Sequence, residues 1–596
     1  MGRGAGHDSL LRGARGLGDD GGRKMNYRWS VAAPQRGPCR ELADGLRISP
    51  LLAQCLLNRG LREPESLARF LTPRLKNLAD PFLIPNMAAA VDRLLAARER
   101  NEVVVIFGDY DVDGVTSTAM LIETLGAMGW RVEYFLPHRL EEGYGLSREG
   151  VEHCLERFPA RLLLAADCGS NAVDVIAQLR RDGVDVIVLD HHQVSSAPPD
   201  AVALVNPQLG DAFQELCSAG LAFKLVHALV KRMRERGLAG AGSVDPRGLL
   251  DLAALGTIAD LAPLLGENRI LASAGLERLN DTARPGLMAL KRAAACPAVL
   301  GGYEVAFQLA PRLNAAGRLE DAQEALRLLL TRDAAEAETL ARSLDERNRE
   351  RREIERGICA EATAAVRARF DPEKDFVIVE GRAEWHVGVV GIVASRVLQE
   401  FYRPTIIMGG AGEIWRGSGR SIEGFDLAAA LRECVDLLVR HGGHAMAAGL
   451  SAAPAKVPLL RQRLNEIARA TIGPEQLRPT LKLDAEAALS DLSLEEVEGL
   501  ARLDPTGQGN PVARVAVRGL SHRWPPQGMG KEQQHVKLRV TDGRQTLEAV
   551  WWNCRGAALP EGNFDIACAP AINCYNGARS VQLKFLDWQP SSGIKD

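Results

Sequence analysis

The chain has no stretch of about 18 consecutive apolar residues, the length that a membrane-spanning helix needs, and its first two dozen residues lack the apolar core of a secretion signal. Its 11 cysteines are scattered, with neither a C-x-x-C pair nor a Cys/His zinc spacing. That excludes a zinc ribbon and reads as reduced thiols, so a cytoplasmic protein without membrane contact is expected. Basic excess is missing too. The net charge is −3, so a nucleic-acid partner would have to use local basic patches. With 46% hydrophobic and 25% charged residues the composition is that of an ordered globular protein, and 596 residues suggest roughly four domains.

What the chain does contain is one dense stretch, VVVIFGDYDVDGVTSTAM at 103–120. Residues 103–107 read as a buried strand. Asp109, Asp111 and Asp113 follow at alternate positions, then Gly114 and a Thr-rich helix start. A strand ending in clustered carboxylates brings hard oxygen ligands to the carboxyl edge of a sheet, where α/β folds place their sites. An EF-hand loop is disfavoured, because its twelfth position needs Glu and is Met120 here, and because VVVIF is no helix. An aspartyl nucleophile at Asp111 and a plain solvated turn are the other readings. Three carboxylates beside a buried strand are costly without a cation.

In chain order, residues 1–24 are rich in Gly and Arg and read as a disordered tail or a start assigned too early. Residues 25–100 carry short helical patterns. From 101 to 275 strands (WRVEYFLP, ARLLLAADCGS, VDVIVLDHHQ) alternate with helices, which predicts a parallel, doubly wound sheet. Asp167 ends one strand, and Asp190, His191 and His192 end another; Asp260 follows an apolar helical run. Residues 276–371 form a helical connector, unbroken from Gly317 to Phe370, with a charged end that reads as solvated. Residues 372–475 form a second α/β unit in which LAAALRECVDLLVR reads as a helix. In 476–596 the turn-rich linker PTGQGNP precedes five short β-like runs, the scale of a small barrel such as an OB-fold. Trp524, Trp551, Trp552, Tyr575 and Trp588 lie there, and exposed ones beside Arg523, Lys531 or Lys537 would make a base-stacking surface.

Asp111, Asp113, Asp167, His191 and Asp260 make a carboxylate–imidazole set without thiolates, which suits Mn²⁺ or Mg²⁺. Two such ions about 3.5–4 Å apart would polarise a phosphoryl oxygen and generate hydroxide. Asp190 is expected to orient His191, and His192 to bind phosphate or donate a proton. PRLNAAGR (Arg312, Asn314, Arg318), GSGRS (Arg420) and HGGHAMAAG (His441, Gly442, Gly443, His444) read as small-residue loops. Successive Gly amides can form an anion nest and Arg can grip phosphate bidentately, so an extended phosphodiester is expected.

The motifs DYDVDG, AADCGS, LDHHQ and GTIADLAPL, in this order, resemble the DHH phosphoesterase superfamily, whose triplet stands here as Asp190-His191-His192. HRLEEGYGLS, PRLNAAGR, EWHVGVVGIVASR, GRS and GGHAMAAG extend the resemblance, from about Leu51 to the C-terminus, to the RecJ family of single-strand-specific exonucleases. The resemblance implies a multidomain α/β chain: a DHH catalytic domain with a parallel sheet, a long helix, a second α/β (DHHA1) domain and a C-terminal all-β OB-like barrel, around a central hole. It implies 5′→3′ degradation of single-stranded DNA to mononucleotides with one or two Mn²⁺ or Mg²⁺ ions, in recombination and DNA repair. A monomer is expected, with a single-strand-binding protein and a RecQ-type helicase as implied partners.

Carried over by motif, Asp111, Asp113, Asp167, His191 and Asp260 are metal ligands, and Asp109, Asp190 and His192 are catalytic-site residues. Arg312, Asn314, Arg318, Arg396, Arg420, Gly442, Gly443 and His444 are phosphate or DNA contacts. Two positions depart from the family pattern. Phe107 stands where many superfamily members have His, which implies that one cation is held more weakly. Thr506 replaces the Phe of the family's P-F-G-x-G-N-P linker. A phosphodiesterase of small nucleotides and a catalytically dead single-strand-binding scaffold are the rival functions.

Overall fold

The computed structural model describes residues 27–138, 142–143, 145–194, 197–319, 321–554 and 556–591. The expected tail at 1–24 and part of the HRLEEGYGLS motif lie outside them. The chain divides into two units. One comprises Met1–Asn58, Arg349–Leu500 and Ala513–Asp596, the other Arg59–Asn348 and Ala501–Val512.

The first unit opens with β1 (Arg28–Val31), α1 (Arg36–Leu46) and α2 (Pro50–Asn58). The second begins with α3 (Pro64–Leu71), α4 (Met87–Glu99), β2 (Val103–Gly108), α5 (Val112–Ala127), β3 (Arg131–Phe135) and α6 (Arg148–Arg157). It continues with β4 (Leu162–Ala166), α7 (Val173–Arg181), β5 (Asp185–Leu189), β6 (Ala203–Val205), α8 (Ser218–Glu235) and α9 (Leu250–Ala259). Next come α10 (Gly266–Asn280), α11 (Pro285–Ala293), the single turn α12 (Gly302–Glu304), α13 (Ala310–Leu319) and α14 (Gln323–Leu330). The 34-residue α15 (Ala334–Arg367) starts in the second unit and ends in the first.

The second unit is built on a parallel sheet of order β3-β2-β4-β5-β6. Parallel strands need crossover helices and are covered on both faces, which is why VVVIF and LLLAA are continuous apolar runs. Alternate residues of β2 serve opposite layers. Val104 and Ile106 pack toward α4, α5, α8 and α9, whereas Val105 and Phe107 pack with the buried residues of α6 and α7. Phe107 is fully buried and stacks on Phe135, with ring centroids 5.5 Å apart. It is a core residue.

The first unit continues with β7 (Ile378–Arg382), α16 (Val390–Phe401), β8 (Thr405–Gly409), β9 (Trp415–Arg420), α17 (Leu427–Arg432), β10 (Arg440–His444), β11 (Ala447–Ala452) and α18 (Val457–Thr471). Its mixed sheet has the order β10-β11-β9-β8-β7. Then follow β12 (Thr480–Leu483), β13 (Ala485–Glu486), α19 (Leu494–Gly499), β14 (Val515–Met529), β15 (His535–Thr541), β16 (Thr546–Trp551), β17 (Phe564–Tyr575) and β18 (Ala578–Pro590). Their order is β13-β14-β15-β16-β18-β17, and β14 also pairs with β17, so the ladder of the five long strands returns to its start. The region expected to be purely helical contributes a strand here: β1 pairs in parallel with β12, and Trp29 Nε1 donates to Asp587 at 2.8 Å.

Three expectations are corrected. The helical run from Gly317 is broken twice, after Leu319 and after Leu330; the Asp333 carboxylate accepts the amides of Ala335 and Glu336 and so restarts the chain as α15. The charged end of that helix is not simply solvated. Asp345, Asn348, Arg351 and Glu355 are buried, and Glu355 takes both Arg351 and Arg396. In LAAALRECVDLLVR the α-helix stops at Arg432, and Arg440 already belongs to a strand.

The PTGQGNP segment is a packed clasp. Arg269, 1% exposed, donates to the carbonyls of Phe70, Arg502, Leu503, Asp504 and Pro505 and lies over the Phe70 ring. Asn510 donates to the carbonyls of Leu503 and Pro505, and Leu264 N–H to that of Gln508. Thr506 is buried in the clasp. Burial lowers the Arg269 pKa to about 10. Replacing Arg269 by Met would orphan several buried carbonyls at ~1–3 kcal/mol each. Urea denaturation of Arg269→Met is expected to show a loss of at least ~3 kcal/mol; a change below ~1 kcal/mol would contradict the clasp.

Candidate metal and phosphate site

The carboxyl ends of β2, β4 and β5 carry the expected acidic residues. Asp111 is the N-cap of α5: one of its carboxylate oxygens accepts the amides of Asp113 (2.9 Å) and Gly114 (3.1 Å). Asp113, in the first turn of α5, is buried and accepts the amides of Ser218 (2.8 Å) and Ala219 (2.7 Å), which open α8. A helix N-terminus thus faces this carboxylate with its positive end. Ser218 Oγ donates to Asp167 at 2.8 Å. Asp167 has a φ of +66°, a strained value for a residue other than glycine and of the kind that clusters at functional sites. Asp260 caps the C-terminus of α9. Helices α5, α8 and α9 meet closely around Asp113, because a Cβ on Gly256 would lie 2.4 Å from both Ala219 Cβ and Thr116 Oγ1.

His191 joins the group. Its Nε2 is 3.5 Å from Asp167 and 3.9 Å from both Asp113 and Asp260. Among the described residues, three sets have ligand atoms within 4.8 Å of one another: Asp109 with Asp111 and Asp167; Asp167 with His191 and His192; and Asp113 with Cys217 and Asp260. The third set brings a thiol, that of Cys217, beside two of the expected ligands. Nothing in the linear pattern marks Cys217 or Ser218, since they reach the site only through the start of a helix a hundred residues downstream of Asp113.

Burial and mutual repulsion decide the charges. Burial raises the Asp113 carboxyl pKa. Asp167 is pushed well above the carboxylate range by burial and by Asp113, Asp111, Asp109 and Asp190. Asp260 is raised to about 9 by burial and then by Asp113 and Asp111. His191 is lowered by burial, which favours the neutral imidazole.

Asp190 behaves differently. Its carboxylate accepts the amides of Ser170, His191 and His192 and pairs with His192 Nδ1 at 2.7 Å. The expectation that it orients the His191 ring is therefore corrected: the ring that it holds is that of His192. Asn206, fully buried, donates to Ser170 Oγ and to the His192 carbonyl and fixes the same turn. Against the opposing effect of burial, hydrogen bonds from His192 and Ser170 hold Asp190 well below the usual range. Burial alone would lower His192, but Asp190, Asp109 and Asp260 outweigh it and raise it to about 9.

The basic motifs are not the loops that their composition suggested. PRLNAAGR lies in α13, GSGR in β9 and HGGH in β10. Asn314 Oδ1 accepts the Val112 amide, and a Cβ on Gly317 would lie 2.7 Å from the Tyr110 carbonyl, so the small residues of α13 let it pack against the Asp-rich turn. Arg312 pairs with Asp345, and Arg318 is half-buried on the same helix. Arg396, Arg420, Gly442, Gly443 and His444 belong to the first unit. There Arg396 pairs with Glu355, Arg420 donates to Ser418 Oγ and the Gly419 carbonyl, and Gly442, Gly443 and His444 are exposed on β10.

The Asp190–His192 pair gives a pH signature in protein stripped of divalent cations. The depressed Asp190 contributes stability above its unfolded pKa of about 3.9 and loses it only in strong acid. The raised His192 contributes fully below its unfolded value of about 6.5 and loses its contribution as pH rises through about 9. The melting-temperature deficit of Asp190→Asn relative to wild type is thus expected to be largest between pH ~4 and ~6.5 and to shrink toward pH ~9. A deficit independent of pH would contradict the pairing.

Three family models match the chain: the DHH family N-terminal domain at residues 103–257, the DHHA1 domain at 374–470 and the RecJ OB domain at 483–587. The single-stranded-DNA-specific exonuclease RecJ of Bacillus subtilis is 37% identical over 569 residues, covering 94% of this chain and 70% of its own. That of Dickeya dadantii is 37% identical over 566 residues, covering 91% and 96%. Among solved structures, RecJ of Thermus thermophilus in complex with Mn²⁺ superposes with a TM-score of 0.82 at 32% identity, over 96% of this chain and 80% of that one. An exonuclease RecJ bound to manganese gives 0.57 at 39% identity, over 66% and 97%. With over a third of its residues identical to such relatives across most of its length, the chain belongs to the RecJ family of single-stranded-DNA-specific exonucleases.

Proposed function

We propose that the chain is a metal-dependent 5′→3′ exonuclease that hydrolyses single-stranded DNA to mononucleotides, in recombination and DNA repair. The observation that carries this reading is the convergence of Asp109, Asp111, Asp113, Asp167, His191 and Asp260 at one sheet edge. The donor set fits a divalent cation. Carboxyls whose pKa values are raised by burial and by one another are relieved by a dication, and hard oxygens with a neutral imidazole suit the Mn²⁺ or Mg²⁺ held by its relatives.

In this reading Asp111, Asp113, Asp167, His191 and Asp260 hold one or two ions. When bound, such an ion supplies Lewis-acid polarisation of a phosphoryl oxygen and a water that ionises near neutral pH. The α8 amides and Ser218 keep Asp113 and Asp167 aimed. His192, its pKa raised to about 9 and its Nδ1 held by Asp190, is assigned the role of donating a proton to a phosphate or leaving oxygen. Asn314 and Gly317 set the Asp-rich turn, and Arg312 acts from α13. We place the catalytic domain at 101–275, phosphate contacts through Arg396, Arg420, Gly442, Gly443 and His444 at 372–475, and strand holding at 476–596. Trp524 supports the last assignment. It is half-exposed on β14, and the Arg523 and Arg539 guanidiniums lie 5.6 and 5.5 Å from its ring. Bases can stack on such a platform without sequence preference.

A 5′-labelled single-stranded oligonucleotide and its duplex, incubated with Mn²⁺, test the reading. Labelled mononucleotide is expected from the single strand only, with Asp167→Ala inactive though folded. No cleavage by wild type, with tight strand binding retained, would establish a scaffold instead. Trp524→Ala is expected to weaken binding of a long strand by ~1–3 kcal/mol in a fluorescence titration; unchanged affinity would remove Trp524 from the strand path.

A further inference from the structure

A cavity of about 280 Å³ opens in the second unit beside the C-terminal end of α5, the loop that precedes α9 and the turn that precedes α11. It lies about three turns along α5 from Asp113, roughly 16 Å away, and none of the proposed metal ligands lines it. Its inner wall consists of buried polar groups. Asp251, 1% exposed, accepts from Thr282 Oγ1 and from Arg284 Nε. Arg284, 7% exposed, reaches Glu123 at 2.8 Å and the Gly248 carbonyl at 3.3 Å. Thr124 is fully buried in the same wall, and its hydroxyl has no hydrogen-bond partner among the described residues. A buried donor left without a partner is unfavourable, and a polar ligand in the cavity relieves it. At the mouth positive charge is in excess. Arg332 shares Glu123 Oε1 with Arg284, and Asp245 is already held by Arg247. The exposed Arg278, on α10, has no hydrogen-bond or ion-pair partner among the described residues.

This arrangement suits a ligand with an anionic end and a body larger than a bare oxyanion. Guanidiniums grip phosphate oxygens in a planar, charge-assisted fork, and Arg278 and Arg332 present two of them. Ala127, Val244 and Leu249 supply apolar wall for the rest of the molecule, and the volume is at the small end of small-molecule sites. Resting on the exonuclease reading above for the identity of the ligand, we infer that this cavity is a second nucleotide site. It binds a nucleoside monophosphate, the product class of the proposed reaction, with the phosphate at Arg278 and Arg332 and a hydrogen bond at Thr124. Product is thereby held away from the metal centre, by residues with no part in hydrolysis.

The test is isothermal titration of deoxyadenosine monophosphate into full-length protein kept free of divalent cations, with deoxyadenosine and inorganic phosphate titrated in parallel. Wild type is compared with Asp167→Ala, with Arg278→Ala, which alters an exposed side chain, and with the near-isosteric Thr124→Val; melting curves report that each is folded. The expected result is one nucleotide per chain, bound equally by wild type and Asp167→Ala, and more tightly than phosphate or the nucleoside alone. Arg278→Ala is expected to weaken it on the order of tenfold. Thr124→Val is expected to bind more weakly too without melting earlier, since it removes a donor that has no partner in the fold. No heat from the nucleotide would overturn the site. Equal affinity in wild type and Arg278→Ala, or loss of binding in Asp167→Ala, would place the nucleotide elsewhere and overturn it equally. Inorganic phosphate bound as tightly as the nucleotide would overturn the nucleotide assignment. Nucleotide binding that Arg278→Ala weakens, from a wild type that cleaves no DNA with Mn²⁺, would overturn the exonuclease reading and leave the site standing.

Discussion

Carboxylates crowded into a buried site lose solvation and repel one another, and the arrangement of the catalytic unit answers that constraint. Asp113, Asp167 and Asp260 approach a single imidazole to within 3.5–3.9 Å. Burial and mutual repulsion raise the pKa values of all three, which disfavours their charged forms. The fold supplies partial compensation through the amides that open α8 and through Ser218. A divalent cation completes it. The strained backbone of Asp167, the glycine contact at Gly256 and the N-cap at Asp111 all belong to the same requirement, that donors from three strand ends and three helices share one small volume.

Beside this group the same physics is used in the opposite sense. Asp190 collects three amides and a ring nitrogen, remains anionic, and keeps His192 cationic through neutral pH. Neighbouring acidic residues on strand ends thereby separate into those whose carboxyls are raised by burial and by one another and one that stays anionic beside a cationic imidazole. Their environments assign the division; their residue type does not.

Sequence reading captured the sheet because its strands are unbroken apolar runs, and it captured the grouping of Asp109, Asp111, Asp113, Asp167, His191 and Asp260 because each follows such a run or an apolar helix. It misassigned what depends on packing at a distance. The small residues of PRLNAAGR suggested a loop, but Gly317 is small because a helix passes the Tyr110 carbonyl. Gly and Pro in PTGQGNP suggested a turn-rich linker, but Arg269, far away in sequence, binds the carbonyls of Arg502, Leu503, Asp504 and Pro505 at its start. Cys217 and Ser218, at the start of α8, and Asn206, after β6, come from segments that carry no local signal. The charged stretch of α15 looked solvated because pairing partners such as Arg396 and Arg312 lie elsewhere in the chain.

The central claim, that this acidic group is a divalent-cation centre, is tested most directly by anomalous diffraction at the manganese edge from crystals of the full chain soaked in Mn²⁺. The account expects anomalous peaks within coordination distance of Asp111, Asp113, Asp167, His191 and Asp260. Crystals that diffract well and show no peak at those residues, from protein that still cleaves single-stranded DNA with Mn²⁺, would contradict it.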